Sequence, residues 1–335
     1  MSVRVALDAM GGDLAPEEIV AGAVEAAAPE IVPVLFGPKG LDTQGLELVE
    51  APDTIEMHEK PVEAVRSKPQ SSLVAACRAV GEGDAQAVVS AGNTGAMLAA
   101  CLFEIRRLPE VDRPAIAAVI PARKGPTVLL DAGANADARA EHLLQFAEMG
   151  TIFAEEVLEL PQPQVRLLSI GEEPEKGNQL VLEAHELLAK SELRFAGNVE
   201  SRALLDDAGE VVVTDGFTGN IVLKLLEGTI RTLLDTLRDE IYASTRGKVG
   251  GLLIRPAARN LRERLDPETY GGAHLLGLRG VAVIAHGNSS RRAIANAIRM
   301  AARGVDHRMV DRLSERLGAP VLASARSRPP SPQAR

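Results

Sequence analysis

Few side chains in this 335-residue sequence are placed to do chemistry, and most of them sit in short turns of glycine, asparagine, aspartate and serine. Lys176 lies in the turn Gly171-Glu172-Glu173-Pro174-Glu175-Lys176-Gly177-Asn178, and His286 follows the apolar run 281–285. Asn93, Asn135, Asn178 and Asn220 bring amide donors to four turns, and Asp8, Asp131 and Asp215 can orient loops by accepting backbone N–H groups. A lysine can offset an anion, an amide can donate to an oxyanion, and an imidazole at a loop edge can carry a proton. Backbone N–H groups at glycine turns and helix starts add sites for phosphate or another oxyanion. The binding candidates are Asp8, Gly11, Gly12, Gly92, Asn93, Thr94, Gly95, Asn135, Asn178, Asp215, Gly216 and Gly219. Each turn alone equally fits a plain chain reversal, and Lys176 a solvated surface lysine. Their recurrence favours a shared crevice.

Absent motifs narrow the chemistry. There is no G-x-x-x-x-G-K-[ST] for nucleoside triphosphates, no G-x-G-x-x-G for dinucleotides and no G-x-S-x-G serine elbow. No His is followed five positions later by Asp, as a His–Asp acyltransferase needs, and no H-E-x-x-H suggests a metal. Neither cofactor nor metal is expected. Cys77 and Cys101 lie among small apolar residues and read as core rather than nucleophiles. Two cysteines cannot build a disulfide framework, which fits a reducing, cytoplasmic compartment.

The formal charge of −9 hides a split. Residues 1–240 carry 20 Lys and Arg against 40 Asp and Glu, a net of −20, and residues 241–335 carry 17 against 6, a net of +11. The basic third fits an acidic protein partner or an anionic membrane surface. Nucleic acid fits poorly, because aromatics make up 2% with no Trp and no base-reading motif is present.

The elements that must position these residues repeat one theme: a β-branched run, a polar turn, then a helical pattern. It occurs at 3–9, 87–90, 128–131, 165–170, 211–215 and 281–285. The alternation predicts a Rossmann-like, mostly parallel α/β sheet with helices on both faces. In such a sheet all six turns are expected on one rim, beyond the carboxyl ends of the strands.

After Asn220, Val222, Leu226, Ile230, Leu233, Leu237 and Ile241 predict one helix to about residue 243. The run Arg246-Gly247-Lys248-Val249-Gly250-Gly251 is expected to break it, with a short amphipathic helix starting at Pro256. Residues 246–264 hold six Lys or Arg and one acid, so 241–270 reads as a basic, one-sidedly apolar excursion, although a helix docked on its own core is equally open. No internal repeat is evident. One domain is expected over 1–323, with a disordered Ser/Pro/Arg tail at 324–335. The longest uncharged apolar stretch, 96–103, falls far short of the roughly 20 residues of a membrane span, and Asp8 comes too early for a signal peptide. A soluble protein is expected.

Taken together, the turns resemble one family. Asp8-Ala9-Met10-Gly11-Gly12-Asp13, Ser90-Ala91-Gly92-Asn93-Thr94-Gly95-Ala96 and Leu130-Asp131-Ala132-Gly133-Ala134-Asn135 are similar to motifs of the bacterial phosphate acyltransferases of phospholipid synthesis. So are Ile170-Gly171-Glu172-Glu173 with Lys176-Gly177-Asn178, then Gly197-Asn198-Val199-Glu200, the segment 214–220, Tyr270-Gly271-Gly272-Ala273 and His286-Gly287. That family makes acyl phosphate from acyl-[acyl carrier protein] and orthophosphate, and the likeness runs in order through about residues 3–315. It implies a fold related to the isocitrate dehydrogenase/phosphotransacetylase-like fold with a protruding helical hairpin, and a homodimer. It also implies the acylated carrier protein and orthophosphate as partners, with product passed to a membrane-embedded glycerol-3-phosphate acyltransferase. The expected location is cytoplasmic, peripherally on the inner face of the plasma membrane.

By this resemblance Lys176 and Asn220 are the first choices for catalysis. Lys176 would offset the phosphate charge, Asn220 would donate to the tetrahedral oxyanion, and His286 would carry a proton to the departing phosphopantetheine thiolate. Leu253 and Leu261 would meet a bilayer, and Arg255, Arg259 and Arg262 anionic headgroups or the carrier protein. Leu14 stands where the family commonly has His, His274 where it has a small residue or Pro, and Ser290 where Asp is common; the chain after Arg123 is shorter. The rival readings are a phosphate acetyl- or butyryltransferase using acyl-CoA, an oxidoreductase of the isocitrate-dehydrogenase-like fold, and a membrane-surface scaffold. A short acyl-CoA needs no basic, apolar excursion, and no nicotinamide pocket or metal-binding Asp cluster can be placed.

Overall fold

Val5, Leu7, Val88, Val128 and the run Val211-Val212-Val213 are all fully or almost fully buried, as strands covered on both faces require. The computed structural model describes residues 2–265 and 267–318; the tail 324–335 lies outside the described residues. Among the described residues the strands are β1 (Val3–Asp8), β2 (Ile31–Gly37), β3 (Glu47–Glu50), β4 (Ala87–Ser90), β5 (Ala115–Ala122), β6 (Gly125–Leu130), β7 (Val165–Ser169), β8 (Phe195–Glu200), β9 (Val211–Val213), β10 (Ala273–Leu276) and β11 (Val281–Ile284). The helices are α1 (Glu17–Ala26), α2 (Pro61–Ser67), α3 (Ser72–Glu82), α4 (Thr94–Ala100), α5 (Ala140–Glu156), α6 (Gln179–Lys190), α7 (Gly216–Tyr242), α8 (Thr245–Leu265), α9 (Arg291–Asp306) and α10 (Met309–Gly318). The strands form one mostly parallel sheet in the order β3-β2-β1-β4-β11-β10-β5-β6-β9-β7-β8. Helices cover both faces: Phe146, Met149 and Phe153 of α5 and Ile294 and Ile298 of α9 fill one core, while α3 and α4 fill another with Leu73, Cys77 and Met97.

The six turns do not share one rim. β10 runs antiparallel to β11, β5 antiparallel to β10 and β6 antiparallel to β5, so the half containing β6, β7, β8 and β9 points opposite to the half containing β1, β2, β4 and β11. A run of buried apolar residues marks a strand but not its direction. The reversal comes from a two-residue turn, Arg123-Lys124, closed by Gly125 at φ 146°, and from β10 inserted between the halves. The halves also carry a local repeat that the sequence reading missed. Ser90-Ala91-Gly92-Asn93-Thr94-Gly95 follows β4 into α4, and Thr214-Asp215-Gly216-Phe217-Thr218-Gly219 follows β9 into α7. β4 lies between β11 and β1, and β9 in the corresponding place between β6 and β7.

α7 matches the expected long helix, and its 27 residues span about 40 Å. The break expected at 246–251 is absent: α8 begins at Thr245, and Pro256 lies inside it. Ser244 Oγ accepts the Gly247 N–H at 2.9 Å and starts the new helix at once. The glycines serve the crossing instead. A Cβ at Gly247 would lie 2.3 Å from the Ile241 carbonyl oxygen, and one at Gly251 2.5 Å from Ile241 Cγ2. Close approach to α7 thus outweighs their weak helix propensity.

Candidate functional site

The candidates fall into two groups, one beyond each end of the sheet. Lys176, Asn178, Asn135, Asp215, Gly216, Gly219 and Asn220 follow β6, β7 and β9, whereas Asp8, Gly11, Gly12, Gly92, Asn93, Thr94, Gly95 and His286 follow β1, β4 and β11.

In the first group the fully buried Asp131 carboxylate organises the turn after β6. It accepts the N–H groups of Ile116, Gly133 and Ala134 at Oδ1 and of Asn135 at Oδ2, at 2.7–3.0 Å. Burial raises its carboxyl above the usual range, and these hydrogen bonds work against the rise. The turn's N–H groups therefore serve an internal carboxylate. Gly216 and Gly219 of α7 press on the same turn, and Asp215 caps the helix by accepting Thr218 N–H at 2.8 Å and Thr218 Oγ1–H at 2.7 Å. Asn220 lies against Gly133, where a Cβ would be 3.5 Å from Asn220 Cγ.

Of the four turn asparagines, Asn220 differs from the rest. Asn135 Nδ2 donates to the Pro114 carbonyl and Asp131 Oδ2. Asn93 Nδ2 donates to the carbonyls of Met57 and Glu59 while its Oδ1 accepts Ala96 N–H, and Asn178 Oδ1 accepts Val181 N–H. Among the described residues the amide of Asn220 has no protein partner at either end. It is half-buried in the first turns of a long helix, where the dipole favours anions.

Lys176 ends a loop held from below. Ser169 Oγ donates to its carbonyl at 2.9 Å, and Asn198 Nδ2 donates to the Glu173 carbonyl at 2.8 Å. His185 Nδ1 lies 2.9 Å from Asn198 Oδ1 and fixes that side chain. The Lys176 ammonium is exposed and, among the described residues, pairs with no carboxylate. β7 and β9 are parallel neighbours, so Lys176 and Asn220 belong to adjacent strand ends. Asn198 was visible in the sequence only as part of a motif; its supporting role depends on β8 lying beside β7.

In the second group the buried Asp8 accepts Ser72 Oγ–H at 2.5 Å and Ser90 Oγ–H at 2.7 Å, and Ser90 Oγ accepts Gly92 N–H at 3.0 Å. Burial raises this carboxyl too, opposed by both serines. A Cβ at Gly11 would lie 2.3 Å from Asp8 Oδ2, and one at Gly12 2.9 Å from the Gly287 carbonyl oxygen. The turns after β1, β4 and β11 thus form one packed surface, and Gly95 packs on Pro61 of α2. His286 is half exposed, with Nε2 3.0 Å from Glu227 Oε1 of α7.

α7 ties the two groups together. Asn220, Lys224, Glu227 and Arg231 recur at positions i, i+4, i+7 and i+11, one face of the helix. The face begins at the Asp131 turn and reaches His286 at the opposite sheet end, about 10 Å further along the axis. Among the residues where the sequence departs from the family pattern, Leu14 is exposed and Ser290 caps α9 by accepting Ala293 N–H. His274 is fully buried beside Phe153, and among the described residues neither ring nitrogen has a hydrogen-bond partner.

On α8, Val249, Leu253 and Leu261 share an exposed stripe, and Leu252 and Ile254 flank it. Lys248, Arg255, Arg259 and Arg262 form a second stripe on the opposite side of the helix. A groove of about 690 Å³ separates α8 from the β5–β6 turn and is lined by Arg123, Lys124, Asn260, Arg264 and Tyr270. No helix among the described residues is long and apolar enough to cross a membrane, and no three His, Cys, Asp or Glu side chains among them are grouped to hold a metal ion.

The family model described as fatty acid synthesis protein matches residues 3–312. Phosphate acyltransferases from Heliobacterium modesticaldum and Pelotomaculum thermopropionicum are 45% and 46% identical to the chain. The matches cover 95% and 92% of the chain and 99% and 93% of those proteins. A phosphotransacetylase structure from Streptococcus pyogenes superposes with a TM-score of 0.60 at 17% identity, covering 91% of this chain and 94% of that one. A branched-chain phosphotransacylase from Enterococcus faecalis V583 gives 0.58 at 17%, covering 90% and 99%. At such identities the structural likeness is one of fold.

Proposed function

The chain belongs to the phosphate acyltransferase family, and from that premise we propose that it moves a long-chain acyl group from acyl-[acyl carrier protein] to orthophosphate. The product is an acyl phosphate, and the chain's place is in fatty acid and phospholipid synthesis. One observation favours Asn220 as the centre of the chemistry: among the described residues its amide alone, of the turn asparagines, has both ends uncommitted in the first turns of α7, beside the strand end that carries Lys176, which pairs with no carboxylate among them.

Phosphate at neutral pH is already a nucleophilic dianion, so the protein need only hold it, offset its charge and stabilise the tetrahedral oxyanion. A phosphate oxygen attacks the thioester carbonyl, the C–O bond forms and the C–S bond breaks. Lys176 offsets the phosphate charge, Asn220 Nδ2 donates to the oxyanion, and His286 gives a proton to the departing thiolate. Asp131, Asn135, Asn178, Asp215, Gly216 and Gly219 shape the site at the Asn220 end of α7, and Asp8, Gly11, Gly12, Gly92, Asn93, Thr94 and Gly95 shape the surface at the His286 end.

The basic stripe of α8, with Arg255, Arg259 and Arg262, suits an acidic carrier protein, and the leucine stripe suits shallow insertion at an anionic bilayer, where a membrane-embedded glycerol-3-phosphate acyltransferase takes the product. The protein works as a cytoplasmic homodimer bound peripherally to that surface. The exposed Ile221, Leu225, Leu233 and Leu237 of α7 offer an apolar face for self-association. The test is to supply long-chain acyl-[acyl carrier protein] or acyl-CoA with labelled phosphate. Label in acyl phosphate from the carrier thioester supports the proposal. Turnover of short acyl-CoA alone refutes it in favour of a phosphate acetyl- or butyryltransferase.

A further inference from the structure

His286 does not stand free at the end of β11. Its Nε2 lies 3.0 Å from Oε1 of Glu227, whose side chain is four-fifths buried on the inner face of α7. Among the described residues Nδ1 has no partner, so it is the one ring nitrogen left to serve a substrate. The contact joins the opposed halves of the sheet, because α7 starts at β9 in one half and meets His286 in the other. We propose that Glu227 is a positioning residue for acyl transfer: it accepts the Nε2–H of His286, fixes the ring about 10 Å along α7 from Asn220, and keeps the imidazole charged so that Nδ1–H can be given to the leaving thiolate.

The inference rests on the acyl-transfer reading for what His286 does, but not for the pair itself. In the step, a hydrogenphosphate oxygen bonds to the carbonyl carbon and the C–S electron pair goes to sulfur. The sulfur then takes the Nδ1 proton, and the proton that hydrogenphosphate carried restores the charged imidazole. Atoms and charge balance without another reactant.

The surroundings bear on the charge. The hydrogen bond to Glu227 raises the His286 imidazole above its ordinary value, opposed by partial burial and by Lys224 and Arg231, one turn to either side of Glu227 on α7. From the turn after β1, the Asp13 carboxylate lies 3.3 Å from where a Gly287 Cβ would be, and Met57 reaches the same point from the segment before α2. At the start of α9, Glu268 accepts Ser290 Oγ–H at 2.7 Å and Glu18 accepts the Arg291 N–H at 2.6 Å. Two of these neighbours repel an imidazolium. Glu227 is the group in direct contact that favours it.

The experiment uses the full chain with Glu227→Gln, which keeps shape and removes charge, and Glu227→Asp. Nitrogen-15 imidazole spectra, with the His286 signal identified by His286→Asn, should show His286 titrating at least half a pH unit lower in Glu227→Gln than in wild type. With carrier thioester and phosphate, kcat of Glu227→Gln should fall about tenfold, with its alkaline limb moved to lower pH and KM for phosphate within threefold. Glu227→Asp should recover part of both. An unchanged His286 titration, or a loss of kcat with an unmoved pH profile, overturns the positioning role. A wild-type protein that forms no acyl phosphate refutes the acyl-transfer reading and the catalytic role with it. The titration shift would then survive, which separates the two failures.

Discussion

A Cβ at Gly219 would fall 1.9 Å from the carbonyl oxygen of Asp131, so the first turns of α7 lie directly on the turn after β6 with no room for a side chain. Gly216 is also held close: its Cβ would lie 2.6 Å from Asp131 Oδ2. A buried carboxylate gathers the turn, two glycines let the helix settle on it, and Asn220 is thereby fixed against Gly133. The position of one amide follows from the packing of backbone on backbone.

Gly219→Ala should therefore cost about 3 kcal/mol or lose the fold, since neither backbone can yield cheaply. Gly228→Ala, on an exposed stretch of the same helix with nothing within 4 Å, should gain about 0.5–1 kcal/mol from helix propensity. Urea unfolding of both variants checks the pair. A Gly219→Ala protein as stable as wild type would mean that α7 does not sit on Asp131.

Lys176→Ala and Asn220→Ala should each lower kcat at least about tenfold, equivalent to about 1.4 kcal/mol of transition-state stabilisation. Cys77→Ala and Cys101→Ala should leave kcat/KM within a few-fold. Both thiols are buried, 3.8 Å apart, and the contact with Cys101 together with burial pushes the Cys77 thiol well above its usual range, which leaves it protonated and unreactive. Steady-state kinetics on the folded variants decides. An inactive but folded cysteine variant would restore a covalent mechanism.

The strands that carry the turns were legible because a buried parallel strand writes itself as a short β-branched run, and 87–90, 211–215 and 281–285 do so plainly. The length of α7 was legible for the same reason, from the spacing of Val222 to Ile241. Strand direction was not. β5 and β10 look like any other buried strand, and only their pairing shows that Asn220 and His286 arise at opposite sheet ends. Gly247 and Gly251 misled because glycine in a sequence reads as a breaker, whereas here it admits a neighbouring helix. Motif residues such as Asn198 and Ser90 turned out to hold loops, a role that depends on partners 20 or more residues away. Glu227 was invisible among the many acids of the first 240 residues.

His274 makes a prediction about pH. Burial against Phe153 pushes its imidazole down from 6.5 to about 3, and among the described residues neither nitrogen has a partner to offset a charge. The unfolded chain binds a proton here as pH falls below about 6.5, and the folded chain does not until about 3. Stability should fall with acidification across that window, by at most about 1.4 kcal/mol per pH unit from this group. His274→Leu removes the group, so the difference between wild type and variant isolates it from Asp8 and Asp131, whose raised carboxyls act in the opposite sense. Urea midpoints at pH 7, 6, 5 and 4 should converge at neutral pH and diverge in the variant's favour in acid. Parallel curves would show that His274 takes a proton without resistance.

The last prediction concerns α8. Leu253 is 78% exposed and Leu252 68%, values that a helix docked on its own core would not show. The leucine stripe lies across the helix from the stripe of Lys248, Arg255, Arg259 and Arg262, the pattern of a helix that lies in an anionic interface. Each basic residue near such a surface adds roughly 1 kcal/mol, and the attraction fades within a Debye length of about 10 Å at 0.1 M salt. Leu253→Glu with Leu261→Glu should therefore release the protein from anionic liposomes in flotation while sparing activity on soluble acyl-[acyl carrier protein]. Charge reversal at Arg259 and Arg262 should weaken liposome binding and also raise KM for the carrier protein, and added salt should mimic it. The two pairs of substitutions separate the two partners, because the carrier needs the charges and the bilayer needs both stripes. Wild-type protein that fails to float with anionic liposomes at low salt would rule out the membrane contact, and a carrier KM indifferent to salt and to both arginines would rule out the docking surface.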